Sequence, residues 1–403
     1  MNICRPTSDL LALCVLASAL SGCSGSAGSP VAPVRAGFSA SPTPAPSATI
    51  APSPGPSATP VASPTPTARP TASPAPTSTP SPAPSSTAAE IYVANSGDNS
   101  VTVYPANPSG TLNESPLATI AGTNTGLSEP FGIAVDASGK IYVANRTGGG
   151  VNGGGSITVY AAHPSGSLNE TPLATITGSL TGLSGPSDIA VDANGKIYVT
   201  NLFNSITIFA ASPSGTVNEA PLATITGSST ALAEPYGVAV DAGGTIYVAN
   251  EIGGSSDSGT ITTYAANPSG TTNEAPLATI TGTNTALNDP LGVALGPLGK
   301  INVVNFGGAA GSSVTVYASA PSGSLNEAPL ATISGSNTAL GTSDGIAVDA
   351  SGKIYVTNTY DNSGAGAITV YAANPSGSLN EVPVGTITGD VTGLHNPFGI
   401  AIH

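Results

Sequence analysis

The sequence predicts an all-β, six-bladed β-propeller with four antiparallel strands per blade, and three observations carry that prediction. The first is a repeat: "IYVAN" or a close variant begins at Ile91, Ile141, Ile197, Ile246, Ile301 and Ile354, at spacings of 50, 56, 49, 55 and 53 residues. The second is where the length varies. The loop between this run and the following "ITVY" holds 5, 11, 4, 10, 8 and 9 residues, and with the loop removed each spacing is 45. A fixed unit with one tolerant insertion point behaves this way. The third is phase. The repeats open on "IYVAN" at Ile91 and close on "FGIAIH", Phe398 to His403. The last run would complete the first blade and leave no open strand edge.

Ahead of the repeats, residues 1–22 read as a signal peptide, 23–88 as a tether and 89–403 as the propeller. The apolar run from Leu10 to Leu20 is too short to span a bilayer and suits the core of a signal segment. It ends in Leu20-Ser21-Gly22-Cys23, which resembles the lipobox of bacterial lipoproteins. That resemblance implies cleavage before Cys23 and acylation of its thiol and amine. Several acyl chains make a stable anchor. It also implies the cell envelope, at the outer membrane in a Gram-negative cell, with the propeller in the periplasm or at the cell surface. From Ser24 to about residue 88 the chain is nearly all Pro, Ser, Thr, Ala and Gly. Such a composition buries too little apolar surface to offset its ordering entropy. The three cysteines, Cys4, Cys14 and Cys23, all precede the repeats, so the propeller has neither disulfides nor cysteine metal sites.

Each repeat supplies four strand-like runs: a "GIAVD", b "IYVAN", c "ITVY" and d "LATIT". The a–b link, Asp-Ala-Ser-Gly-Lys, is turn chemistry. Antiparallel order puts the a–b and c–d links on a first face and the b–c and d–a links on a second. The first face is nearly constant. Asn-Glu of "LNEAP" recurs from Asn113-Glu114 to Asn380-Glu381, and a six-fold residue is better explained by a turn or cross-blade contact than by catalysis.

"FGIAVDASGKIYVAN" (Phe131 to Asn145), with "SGDNSVTVY" after strand b of the first unit, is similar to the NHL-repeat pattern, and less closely to YVTN-type propellers. The likeness covers 90–403. The segment "NPSGSLNEAPLATITG" and the missing arginine before strand c depart from it. The resemblance implies a six-bladed ring. Its members include protein- and RNA-binding modules, and related rings include lactonases and lyases.

Charge narrows the partners. The chain carries −14, and with Arg5, Arg35, Arg69 and Asp9 set aside the propeller carries −16, the opposite of a nucleic-acid footprint. A nucleotide is not expected either. Gly148, Gly150 and Gly153 fit G-x-G-x-x-G, but strand c follows where a dinucleotide fingerprint needs a helix.

The second face varies, so function is sought there. It carries Asp98, Glu129, Asp188, Glu234, Glu251, Asp257, Asp289, Asp344, Asp361 and Asp390 against one base, Arg146. Such a rim keeps a protein soluble or attracts cations, Ca²⁺ or organic amines. No D-x-D-x-D-G calcium loop is present, and no other cofactor is evident.

Strand a begins at the channel mouth on that face. There the units read Phe131-Gly132, Tyr236-Gly237, Leu291-Gly292 and Phe398-Gly399, broken by Ser187-Asp188 and Asp344-Gly345, with His395 near by. An apolar ring with two acids, a serine and a histidine suits a small ligand, or a general acid–base pair of His395 with Asp188 or Asp344. His163 and His403 belong to the first face, so a multi-histidine zinc site is excluded. No G-x-S-x-G elbow appears. The sequence thus leads to a tethered envelope lipoprotein that binds a protein, glycan or wall component, and behind it to a lactonase-like hydrolase or lyase.

Overall fold

The computed structural model describes residues 89–148, 154–254, 258–307, 311–360 and 366–403. The signal segment, Cys23 and the tether lie outside the described residues, as do Gly150, Gly153, Asp257 and Asp361.

Six sheets form a ring. In the second unit strand a is Pro130–Val135, b is Ile141–Asn145, c is Ser156–Tyr160 and d is Ala174–Ile176, each antiparallel to the next. The six a strands touch one another in a closed cycle around the centre. Strand c follows the glycines of the second b–c loop directly, at Ser156.

The ring closes as the phase of the repeat predicts. Pro397–Ile402 pairs antiparallel with Glu90–Asn95. Beside it, the Glu90 N–H donates to the His403 carbonyl at 2.8 Å and the His403 N–H to the Glu90 carbonyl at 3.1 Å.

Each sheet has five strands rather than the four expected. The fifth comes from the next repeat: Gly215–Val217 of the third unit lies parallel to Ala174–Ile176 of the second. Gly110–Leu112 of the first unit lies likewise on Gly385–Thr388 of the sixth, a second closure at the outer edge. This corrects the placement of "LNEAP". The c–d link does not stay on the first face; it climbs the perimeter of the preceding blade. There Asn169 Oδ1 accepts the Asn124 N–H at 2.9 Å, and the same contact recurs in all six units at 2.8–3.2 Å. The repeated asparagine is a cross-blade clasp.

The core lies between blades. Tyr142, Ala144, Ile157 and Ile176 of the second unit pack on Leu183, Ile189, Ile197 and Phe209 of the third, and five equivalent clusters complete the circuit. Covered on both sides, strand b reads as a continuous apolar run instead of alternating. Each b strand carries a fully buried asparagine, the last residue of the strand except in the sixth unit, where the strand runs on to Tyr360. Its Oδ1 accepts a backbone N–H of the d–a link at 2.9–3.2 Å. Its amide donates to a strand-c threonine at 3.0–3.2 Å. Burial without such partners would cost one to several kcal/mol per group, on the order of 1–3 kcal/mol. These brackets therefore fix the d–a links, and with them the start of every strand a.

Candidate functional site

The mouth residues are placed by a defect in the ladder. Pro130 pairs with Asn145 and Gly132 with Ala144, so Phe131 is an extra, bulged residue. Ser187 and Leu291 are bulged in the same way, and the register also shifts at Tyr236 and Asp344. A bulge turns a side chain out of the sheet, here toward the axis of the ring. The glycine after it lets the strands converge. A Cβ on Gly132 would lie 2.5 Å from Asp188 Cα, and one on Gly399 would lie 2.4 Å from the Phe131 carbonyl oxygen. Asp188 alone stands where the other five units have glycine.

The result is one small cavity, open to solvent, with about 50 Å³ of room for the centres of water-sized molecules. Phe131, Ser187, Asp188, Tyr236, Leu291, Asp344 and Phe398 all line it. Phe131 and Phe398 stack with centroids 4.1 Å apart. The Arg146 guanidinium, from the adjoining b–c loop, sits 4.6 Å over the Phe131 ring. His395 does not line the cavity. It stands on the d–a link, exposed, with Nε2 3.9 Å from an Asp98 carboxylate oxygen, and its carbonyl accepts the Gly97 N–H at 3.0 Å.

The polar lining has definite partners. Ser187 Oγ lies 2.8 Å from the Pro235 carbonyl, its shortest contact, 3.1 Å from the Tyr236 carbonyl and from Thr200 Oγ1, and 3.2 Å from the Thr200 carbonyl, so it bridges its own blade and the next. Asp188 Oδ2 accepts the Val238 N–H at 3.0 Å. Desolvation pushes the Asp188 carboxyl up to about 7, against the opposing pull of the Val238 and Ile189 N–H groups. Asp344 is buried and accepts a hydrogen bond from Thr359 Oγ1.

Two further residues belong to this wall. Thr200 Oγ1 donates to the Tyr236 carbonyl at 2.6 Å, and Thr357 Oγ1 to the Phe398 carbonyl at 2.5 Å. Both stand where the other units have Ala94, Ala144, Ala249 and Val304, and both fall in the two units whose mouth pattern is broken. The exchange of "IYVAN" for "IYVTN" was the sequence signal for them. Among the described residues no group of three or more His, Cys, Asp or Glu is placed to hold a metal ion.

Neither a protein-family model nor a curated protein matches the chain. Three solved structures are among those similar to the chain. The WD40 β-propeller domain of Doa1 is 12% identical, over 69% of this chain and 74% of that one, with a TM-score of 0.41. The WD40 domain of coronin from Toxoplasma gondii is 11% identical, over 74% and 67%, at 0.38. The PQQ-bound form of aldose sugar dehydrogenase from Streptomyces coelicolor is 14% identical, over 67% and 85%, at 0.45. The count of six blades rests on the strand pairing described above.

Proposed function

We propose that this chain is a cell-envelope lipoprotein whose propeller is a binding module, with the channel mouth as its ligand site. One observation carries the reading. The side chains in which the repeats differ, Phe131, Ser187, Asp188, Tyr236, Leu291, Asp344 and Phe398, converge on a single cavity. A ring that served only as a spacer would have no need of unlike residues at equivalent positions. The NHL-like repeat pattern supports a binding module, and the Leu20-Ser21-Gly22-Cys23 run followed by a Pro-rich stretch supports a lipid anchor on an extended tether. The ligand is a protein, glycan or wall component, and Arg146 adds the b–c loop to the contact.

The test uses the full-length chain extracted in detergent, presented to a glycan array and to envelope extracts. Wild type is expected to capture a ligand that the Phe131→Ala/Phe398→Ala variant does not. Equal capture by both would remove the mouth from the function. Labelling with palmitate is expected to mark wild type and not Cys23→Ser, and a label on both would remove the anchor.

A second reading is supported by the Asp188 carboxyl, which at about 7 exchanges a proton near neutral pH. On that reading the cavity is a lactonase-like hydrolase or lyase site with Asp188 and Asp344 as its acid–base groups. The geometry narrows it: Ser187 is bonded to the Pro235 carbonyl and His395 stands outside the cavity. Lactone turnover that survives Asp188→Asn would end this reading.

A further inference from the structure

The two faces of the ring differ in charge. The a–b turns of the first face carry Lys140, Lys196, Lys300 and Lys353, four of the propeller's five bases. Against them stand five acids, Asp136, Asp192, Asp241 and Asp349 of the same turns and Glu90 at the seam. Among the described residues the second face sets eight acids against one base, Arg146. An anionic surface therefore repels the second face and tolerates the first.

The first face is also where apolar side chains reach water. The a–b turn of the fifth unit reads Gly296-Pro297-Leu298-Gly299-Lys300, and Leu298 stands where the other turns have Ser138, Asn194, Gly243 and Ser351. Leu298 is 90% exposed and is held at φ +62°, a left-handed conformation that a leucine resists. Strain of this kind persists where the position has a use. The residue before each strand d, Leu117, Leu173, Leu222, Leu277, Leu330 or Val384, is 45–56% exposed. Its N–H donates to a carbonyl in the first-face half of strand c, that of Leu117 to Val103 at 2.7 Å. These six side chains form an apolar crown toward that rim. The chain enters the ring here as well: strand b of the first unit begins at Glu90, its first-face end, and residues 1–88 precede it.

We infer that the first face docks on the bilayer that holds the anchor. Leu298 dips into the lipid surface, the apolar crown lies along it, and the mouth points away from the membrane toward its ligand. This inference rests on the lipid anchor proposed above. The anchor keeps the ring at a high local concentration beside the bilayer. One leucine and a nearly neutral face then suffice, where they would not draw a soluble domain from solution.

The test uses the acylated full-length chain in vesicles of phosphatidylethanolamine and phosphatidylglycerol that carry a lipid-borne quencher. With Cys4 and Cys14 removed in the signal segment and Cys23 acylated, an introduced cysteine alone takes a fluorophore. Ala137→Cys marks the first face and Ser228→Cys the second, both at exposed positions. Quenching is expected to be several-fold stronger at the first position. Leu298→Ser should lower the docked fraction, and with it that excess, by about threefold. Phe203→Ser removes a side chain 75% exposed on the second face and should leave the excess unchanged. Thermal melts show that the variants remain folded. Equal quenching at the two positions, stronger quenching at the second, or an excess indifferent to Leu298→Ser would each overturn the inference. So would an excess that appears only at high protein-to-lipid ratio, the mark of contact between copies. If the excess is missing while palmitate still marks wild type, the inference falls and the anchor stands. A chain that takes no palmitate and leaves the vesicles ends both.

Discussion

Single positions at which the repeat departs from itself make the sharpest tests. Five units place a tyrosine at the end of strand c, its hydroxyl donating to a threonine carbonyl of the d–a link at 2.6–2.7 Å, as Tyr160 does to Thr125. The third unit has Phe209 there, and the equivalent carbonyl is that of Thr181. Phe209→Tyr should stabilise the ring by about 0.5–1.5 kcal/mol, and Tyr264→Phe should destabilise it by a similar amount, both read from denaturant midpoints. Asp188 makes a pH-dependent case. Its folded value, about 7, lies above the ordinary 3.8, so its neutral form contributes stability in acid that is lost as pH rises through about 7. Asp188→Asn should match wild type near pH 4 and exceed it at pH 8 by up to about 4 kcal/mol. Asp136 and Asp349 have the opposite sign. Burial opposes their charge, but the donors of Ser138 and Lys140, or of Ser351 and Lys353, with Tyr142 or Tyr355, outweigh it and hold both carboxyls below the ordinary value. Their contribution disappears only as strong acid protonates them.

At the scale of elements, strands a to d were legible in the sequence and the fifth strand was not. The first four are apolar runs bounded by turn residues, and burial between blades demands that pattern. The fifth reads "GTL", "GSL", "GTV" or "GTT", begins with glycine and lies largely exposed, so no hydrophobic pattern marks it. Its partner is also a strand of another repeat, which local propensity cannot reveal. The site was legible to the same degree. Asp188 and Asp344 showed themselves as breaks in a ring of apolar-glycine pairs, whereas His395 looked close in sequence but faces Asp98. The approach of Arg146 to Phe131 depends on loop geometry that no pattern encodes. The clasp beside the fifth strand can be probed at Gly178. This residue has φ +116° and its Cβ would lie 2.4 Å from Asn218 Cγ. Gly178→Ala should cost at least about 2 kcal/mol. Adding Asn218→Gly should recover only part of the loss, because the clash is relieved and the backbone strain is not.

The whole molecule is fastened twice, at the inner edge by Pro397–Ile402 on Glu90–Asn95 and at the outer edge by Gly110–Leu112 on Gly385–Thr388. Both pairings repeat contacts made at every other junction, so the seam differs from its five counterparts only in lacking a covalent link. The order of the chain is therefore incidental to the shape. A circular permutant, with His403 joined to Glu90 through a short Gly-Ser linker and new termini cut in the 11-residue loop after Asn145, should fold and melt within about 5 °C of the parent. A permutant unable to fold would mean that the seam is not equivalent to the other junctions. On this view the ring has no first blade, and the point at which the chain enters it could migrate around it while the same surface was kept.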